Sequence, residues 1–159
     1  MAEEYARITA LLREKRLTVT TMESCTGGLI ASLLTDTPGA SETIPGAFVT
    51  YSNGAKVRCG VPAAVLEQYG VYSAETASAM AQAAMAAYGT DLAIGITGSL
   101  GRADPANGDS VPGQVWCALR CGGETEVLFW DDIAAPDRQG CKALIAARVA
   151  AALLGILAP

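Results

Sequence analysis

Hydrophobic positions follow two different periods along the chain. Apolar residues recur at helical spacing among charges over residues 3–15, which predicts an amphipathic helix. The β-branched run 17–22 predicts a strand, and the continuous apolar run 91–96 predicts a strand buried on both faces. The further predicted elements are a strand over 44–51 with Gly46 as a bulge, short helices over 53–59 and 63–68, a long Ala-rich helix over 74–88, a β-hairpin of strands 114–121 and 125–130, and a closing helix over 136–157.

This order of elements predicts the fold class. Strands alternate with helices and a hairpin follows, which is typical of an α/β domain: a three-layer α/β/α sandwich with a mixed, mostly parallel sheet. The length of 159 residues suits one domain over 1–159, without internal repeat or linker. The small-residue face of the helix over 74–88 permits close packing, either in the core, which we favour, or in a homo-oligomer.

Charge and apolar runs exclude several kinds of partner. Lys and Arg number 11 against 16 Asp and Glu, a formal charge of −5, and no basic cluster stands out, so we expect no nucleic-acid binding. The longest apolar stretch, 143–158, contains Arg148 and is shorter than the roughly 20 residues that span a bilayer. The charged first 16 residues do not resemble a signal peptide. We therefore expect a cytoplasmic protein that does not bind membranes.

The absence of histidine restricts the available chemistry. With His at 0, neither a Ser-His-Asp triad, a Cys-His dyad nor a His-ligated metal site can form within this chain. Acid–base catalysis near neutral pH must use Lys, Asp, Glu, Tyr or Cys with a shifted pKa. The five cysteines are irregularly spaced without a CxxC pair, which predicts free thiols rather than a zinc site. We expect neither a metal nor a cofactor.

Small polar residues follow three of the predicted strands. They lie in segments 23–28, 50–53 and 97–99, which meet at one edge if the strands are neighbours. The glycine turn in 23–28 leads into a helix and can bind an anion or an oxyanion, and Ser24 or Cys25 can act as the nucleophile. The alternative is that this turn only caps the helix.

Lys56 follows the second of these segments. A desolvated lysine can act as the base that a serine nucleophile needs, with Tyr51 steering the proton; the alternative for Lys56 is a solvated surface charge. Asn53, Thr97, Ser99 and Arg102 can hold a hydroxyl or phosphate group, or serve as turn and surface residues. Arg138 and Lys142 are predicted to be surface residues.

Several short motifs together resemble a known family. They are ESCTGGLIA at 23–31, TPGAS at 37–41, VTYSN at 49–53 with Lys56, GV at 60–61, GVYS at 70–73, AMA at 79–81 and ITG at 96–98. The set is similar to the C-terminal domain of the competence/damage-inducible CinA proteins, a family that includes nicotinamide-nucleotide amidohydrolases (NMN deamidases). The resemblance covers nearly the whole chain.

The resemblance implies hydrolysis of the carboxamide of nicotinamide mononucleotide (NMN) to nicotinate mononucleotide and ammonia. Ser24 matches the nucleophile, Tyr51 and Lys56 match its activating partners, and the backbone of 26–28 is expected to stabilise the oxyanion. The expected substrate-binding residues are Cys25, Thr26, Gly27, Gly28, Asn53, Thr97, Gly98 and Arg102. Within segment 99–113 the chain departs from the family pattern, because Ser110-Val111-Pro112-Gly113 stands where many relatives have Lys-Pro-Val-Gly. Either Arg102 replaces the missing basic residue or the substrate preference differs.

Two other hypotheses remain open at this point. The chain can be a non-catalytic nucleotide-binding module that acts through partners, which needs the anion site but not a lysine of lowered pKa. Alternatively, Cys25 can be the nucleophile, its thiolate stabilised by the helix N-terminus and Lys56. In each case the expected ligand is a small-molecule nucleotide.

Overall fold

The helices and strands follow the predicted order. The computed structural model describes residues 1–158. Its elements are α1 (Ala2–Lys15), β1 (Val19–Glu23), α2 (Leu29–Thr35), a 3₁₀ turn (Ala40–Glu42), β2 (Phe48–Val49), α3 (Asn53–Arg58), α4 (Ala63–Tyr69), α5 (Ala74–Tyr88), β3 (Leu92–Gly98), β4 (Val115–Cys121), β5 (Glu124–Trp130) and α6 (Arg138–Leu157). The ends of α5 are set by Ser73, whose hydroxyl accepts the Thr76 N–H, and by Gly89 in the left-handed region.

The strands of the described chain form one sheet in the order β2-β1-β3-β4-β5. β1 pairs in parallel with β2 and β3, so that Thr21 lies opposite Ile94. β4 and β5 extend the sheet as an antiparallel hairpin. The sheet is mixed and β4 alone runs against the other strands, which confirms the predicted fold class.

Helices cover both faces of the sheet. α1, α2 and α6 share one core cluster with the apolar side chains of β3 and β4, such as Ile94 and Cys117. α5 covers the opposite face with its small residues Ala77 and Ala81. It approaches so closely that a Cβ on Gly95 of β3 would meet the backbone of Ala77 and Ala81. The small-residue face of α5 therefore packs in the core.

α6 is a long apolar helix of 20 residues. By length and composition it could cross a membrane, and 39% of its most apolar window is buried in the structure. That buried face includes Ile145, Val149 and Leu153, which pack in the core cluster. The Tyr5 hydroxyl of α1 also donates to the Ala146 carbonyl at 3.0 Å. These contacts make α6 a core helix of the domain, as the sequence predicts.

The second strand is shorter than predicted. Over 44–51 only Phe48 and Val49 pair with β1. Near Gly46 the ladder is replaced by a side-chain contact, because the Thr20 hydroxyl donates to the Gly46 carbonyl at 2.8 Å. The ring of Tyr88 occupies the space where a Gly46 side chain would stand. The paired part of β2 is nevertheless the part that leads into the site.

The three parallel strands end at the same edge of the sheet. β1 ends at Glu23, β2 at Val49 and β3 at Gly98. α3 begins only a few residues after β2 and carries Lys56. The three predicted segments therefore meet at one edge of the sheet.

Candidate active site

Ser24 directly follows β1 in a tight turn. Its backbone N–H donates to the Ile96 carbonyl of β3 at 3.0 Å, and its own carbonyl accepts the Gly27 N–H at 3.0 Å. Gly27 and Gly28 have φ of 64° and 94°, in the left-handed region that glycine adopts without strain. The turn fixes Ser24 at the sheet edge, where its side chain lines a cavity.

Lys56 reaches the same point from α3. The Ser52 hydroxyl caps α3 by accepting the Ala55 N–H at 3.1 Å. Lys56 Nζ lies 3.0 Å from Ser24 Oγ and donates to the Thr50 carbonyl at 2.8 Å. The side chain is 1% exposed, so the surface-charge alternative is wrong. The two contacts hold the amine against the serine hydroxyl.

The surroundings of Lys56 make its neutral form more accessible than that of an exposed lysine. Burial lowers the pKa of Lys56 from 10.5 to about 8, while the Asp104 carboxylate acts in the opposite direction. Among residues 1–158 no carboxylate forms a salt bridge with its amine. A neutral amine that faces a serine hydroxyl can accept its proton, which is the chemistry of a general base.

Glu23 organises the turn that carries Ser24. Its side chain is fully buried. Both carboxylate oxygens accept hydrogen bonds, from the hydroxyls of Thr21 (3.0 Å) and Thr26 (2.6 Å) and from the N–H groups of Gly28 (3.0 Å), Ile30 (3.1 Å) and Ala31 (2.8 Å). The carboxylate therefore occupies the N-terminus of α2, which the sequence suggested as an anion site for the substrate.

The backbone N–H groups of 26–28, which the sequence suggests as oxyanion donors, are therefore not all available. The N–H groups of Gly27 and Gly28 are bonded within the protein, to Ser24 and Glu23. In the described chain, the N–H groups of Cys25 and Thr26 donate to no other residue. These two amides directly follow Ser24 and are the better candidates to stabilise an oxyanion.

Cys25 lies beside the serine but is a weak nucleophile here. It is 2% exposed. Burial, and next the nearby Glu23 carboxylate, raise the pKa of the Cys25 thiol to about 12. The thiolate is the reactive form, and this thiol stays protonated at neutral pH. Ser24 is therefore the better nucleophile.

A cavity of about 490 Å³ opens over Ser24. Of the residues proposed from sequence, it is lined by Ser24, Cys25, Tyr51, Asn53, Gly98, Ser99 and Arg102. Lining residues that sequence reasoning did not assign to the site include Tyr72, Asp104, Asn107 and Arg138. Thr26, Gly27 and Gly28 instead line a separate depression, together with Arg138 and Lys142.

Tyr51 stands at the cavity but apart from the Ser24–Lys56 pair. Its side chain is 62% exposed, and its hydroxyl accepts from Arg138 at 2.8 Å. In the described residues it hydrogen-bonds to neither Ser24 nor Lys56. Arg138 also donates to the Leu100 carbonyl at 2.7 Å. Arg138 is a surface residue as predicted, yet it also belongs to the cavity.

The end of β3 mainly supports the structure around the site. Thr97 is fully buried, donates to the Val71 carbonyl at 2.8 Å and is not among the cavity-lining residues, unlike the role that the resemblance implies. Gly98 does line the cavity. A Cβ at Gly98 would lie 2.6 Å from the Val115 side chain and 2.7 Å from the Gln114 carbonyl, so only glycine fits there.

The loop between β3 and β4, which carries Asp104 and Asn107, also lines the cavity. Asn53 donates to the Asn107 side chain at 2.9 Å, and the Tyr72 hydroxyl donates to Asp104 at 2.7 Å. Both contacts join residues of the loop to segments near the sheet edge. Within residues 1–158, Cys, Asp and Glu side chains nowhere gather in threes at metal-binding distances.

The fold and the site define an open-sheet α/β/α domain with a serine–lysine pair at the carboxyl ends of its parallel strands. The chain belongs to the CinA C-terminal domain family, whose model matches residues 2–157. This membership confirms the resemblance that the sequence motifs suggest.

Known proteins of similar sequence are CinA-like. A CinA-like protein of Akkermansia muciniphila is 38% identical over 149 residues, which cover 90% of this chain and 34% of that protein. A CinA-like protein of Geobacter sulfurreducens is 46% identical over 113 residues, which cover 70% of this chain and 27% of that protein. The chain thus spans about a quarter to a third of the length of these curated relatives.

Solved structures of the superfamily share the whole fold. A CinA superfamily protein of Klebsiella pneumoniae has a TM-score of 0.90 at 27% identity, covering 99% of this chain and 97% of that chain. The competence/damage inducible protein CihA of Agrobacterium tumefaciens has a TM-score of 0.84 at 31% identity, covering 99% and 93%.

Proposed function

We propose that this chain hydrolyses the carboxamide of nicotinamide mononucleotide to nicotinate mononucleotide and ammonia. The observation that carries the proposal is the contact between Lys56 Nζ and Ser24 Oγ at 3.0 Å, in a lysine whose pKa burial lowers to about 8. A chain without histidine needs such a pair to activate a serine.

The reaction proceeds in two halves. Neutral Lys56 takes the proton of the Ser24 hydroxyl as Oγ attacks the carboxamide carbon, and the N–H groups of Cys25 and Thr26 stabilise the oxyanion. The Lys56 ammonium then protonates the departing nitrogen, so that ammonia leaves and an ester to Ser24 remains. In the second half Lys56 deprotonates a water molecule, which attacks the ester carbon. The Lys56 ammonium then returns this proton to Ser24 Oγ as the ester bond breaks, and the acid product leaves as its carboxylate after losing its own proton to solvent. Each oxyanion donor contributes about 2.7–4 kcal/mol in comparable sites.

The charges around the cavity suit a mononucleotide. Arg102 and Arg138 line it, and guanidinium groups bind phosphate by paired hydrogen bonds. Small-molecule sites of a few hundred Å³ commonly combine a few such polar groups with apolar walls, and the cavity of about 490 Å³ falls in that range. Action in the cytoplasm, without metal or cofactor, is part of the proposal.

The test is product analysis of NMN incubated with the purified protein and a chelator. Hydrolysis predicts ammonia and nicotinate mononucleotide in equal amounts. Saturable binding of NMN without either product would favour the alternative, a nucleotide-binding module that acts through partners. Ser41→Ala is a suitable control for Ser24→Ala, because Ser41 is exposed and does not line the cavity.

A further inference from the structure

Asp104 is the one carboxylate among the residues that line the cavity of the described chain. The cavity also presents two guanidinium groups, from Arg102 and Arg138. Among residues 1–158, Asp104 forms no salt bridge with any of the cations. The cavity therefore offers both signs of charge to a ligand, and within residues 1–158 no salt bridge neutralises its carboxylate.

Three hydrogen bonds fix the orientation of this carboxylate. Oδ2 accepts from the Tyr72 hydroxyl at 2.7 Å and from Asn107 Nδ2 at 2.6 Å, and Oδ1 accepts from the Ala106 N–H at 2.9 Å. Asn107 is held in turn by Asn53 at 2.9 Å. These donors hold the pKa of the Asp104 carboxyl below its ordinary value, so the group is ionised at neutral pH.

The carboxylate also acts on the reacting end of the cavity. Its charge raises the pKa of Lys56, against the larger effect of burial. Lys56 Nζ is 3.0 Å from Ser24 Oγ, so the field that reaches the amine also reaches the atoms around the nucleophile. A substrate whose amide carbon lies at Ser24 places the aromatic ring that bears this amide within the same field.

We infer that Asp104 recognises a positively charged ring beside the scissile amide, and so selects N-substituted pyridinium carboxamides over neutral aromatic amides. This inference rests on the proposed function and deepens it. In such a ring only one atom separates the carbon that bears the carboxamide from the charged nitrogen. Asp104 faces the cationic ring, while Arg102 and Arg138 suit a phosphate at the other end of the same molecule.

The size of the effect follows from the partial exposure of Asp104. Charge pairs that remain in contact with water contribute up to about 1 kcal/mol, which corresponds to roughly a fivefold change in a dissociation constant. The contribution falls further with added salt, because exposed charges are screened. We therefore expect discrimination by ring charge of about fivefold at low ionic strength.

The experiment compares two ligands that differ in ring charge. NMN carries a cationic pyridinium, and its reduced form carries a neutral dihydropyridine with the same carboxamide, ribose and phosphate. Titration calorimetry uses the full chain with Ser24→Ala, so that neither ligand is consumed. Adding Asp104→Asn is expected to weaken NMN binding about fivefold and binding of the reduced form less than twofold. Asp109→Asn removes a charge from the same loop outside the cavity lining, and is expected to change neither affinity by more than about twofold.

A second variant separates charge recognition from loop order. Tyr72→Phe keeps the Asp104 charge and removes one of its three hydrogen bonds. If loop order alone mattered, Tyr72→Phe and Asp104→Asn would weaken both ligands alike, and the inference would be overturned. It would be overturned equally if Asp104→Asn left both affinities unchanged. Ammonia release by the unmodified chain is measured separately: ring-charge selectivity without ammonia would support this inference and contradict the proposed hydrolysis.

Discussion

Lys56 Nζ lies 3.0 Å from Ser24 Oγ, although the two residues are 32 positions apart in the chain. The carboxyl end of β1 presents the serine, and the helix that follows β2 presents the lysine. The Thr50 carbonyl, 2.8 Å from the same amine, fixes its position. The pair gives a chain without histidine a base at its serine.

The protonation of Lys56 predicts the pH dependence of activity. Burial lowers the pKa of Lys56 to about 8, so at pH 7 only about a tenth of the chains carry the neutral base. Because the protonated amine cannot accept the Ser24 proton, kcat/KM is expected to rise with pH and level off above about pH 8. Asp104→Asn is expected to shift this midpoint downward, because the carboxylate raises the Lys56 pKa. A rate that stays flat between about pH 6 and pH 9 would contradict Lys56 as the base.

The Tyr51 hydroxyl is predicted to contribute little to proton transfer. It is bonded to Arg138 rather than to Ser24 or Lys56, so Tyr51→Phe is expected to reduce kcat less than about tenfold. Removal of a true acid–base group costs about 10²–10⁴-fold. Arg138→Gln is expected to act mainly on KM, because Arg138 lines the cavity. Steady-state kinetics on both variants measures the split, and a roughly hundredfold or larger loss of turnover in Tyr51→Phe would restore its assignment as an activating partner.

Glu23 is predicted to be a positioning residue for Ser24. Two threonine hydroxyls bond to its carboxylate, Thr21 from within β1 and Thr26 from the turn that carries the nucleophile. Replacing either threonine by Val removes one buried hydrogen bond and is expected to cost roughly 1–3 kcal/mol in the free energy of unfolding.

The two variants form a matched pair. Thr26→Val loosens the turn and is expected to lower kcat about tenfold or more with little change in KM, whereas Thr21→Val is expected to leave kcat within about threefold. Thermal melts show whether the losses of stability are similar. Equal losses of kcat in both variants would mean that Glu23 supports the fold without positioning the serine.

Cys25 is predicted to be dispensable for the chemistry. Its pKa is raised to about 12, and it is buried beside the nucleophile. Iodoacetamide near neutral pH is therefore expected to leave activity intact, and Cys25→Ala is expected to retain it within about threefold. Inactivation by the alkylator that disappears in Cys25→Ala would instead indicate that this thiol lies in the substrate's path.

The sequence predicts the strand ends well because the pattern there is local. Ser24, Cys25 and Asn53 lie within a few residues of the ends of two strand-forming runs, and parallel strands place such residues at one edge. Lys56 could be proposed for the same reason, since it lies one helical turn into α3. The length of β2 could not be predicted, because its pairing ends where Thr20 and Tyr88 contact Gly46 from distant parts of the chain.

The contacts of the loop side of the site depend on tertiary structure. Tyr72 and Asp104 are 32 residues apart, and Arg138 meets Tyr51 across 87 residues, distances at which sequence spacing carries no information. The role of Glu23 had a local signal that was missed: a carboxylate placed just before a Thr-Gly-Gly turn can cap the helix that follows. The expectation that Thr97 lines the pocket is wrong because every residue of β3 is buried, and the Thr97 hydroxyl donates to the Val71 carbonyl.

The most direct test of the Ser24–Lys56 pair is ammonia release from NMN by three matched proteins: the unmodified chain, Ser24→Ala and Lys56→Met. Lys15→Met serves as the control for loss of a lysine charge, because Lys15 is exposed at the end of α1. We predict that the unmodified chain and the control release ammonia at the same rate, and that both site variants remain folded and release it at least about 10²-fold more slowly. Ammonia release at the unmodified rate by folded Ser24→Ala or Lys56→Met would contradict the account.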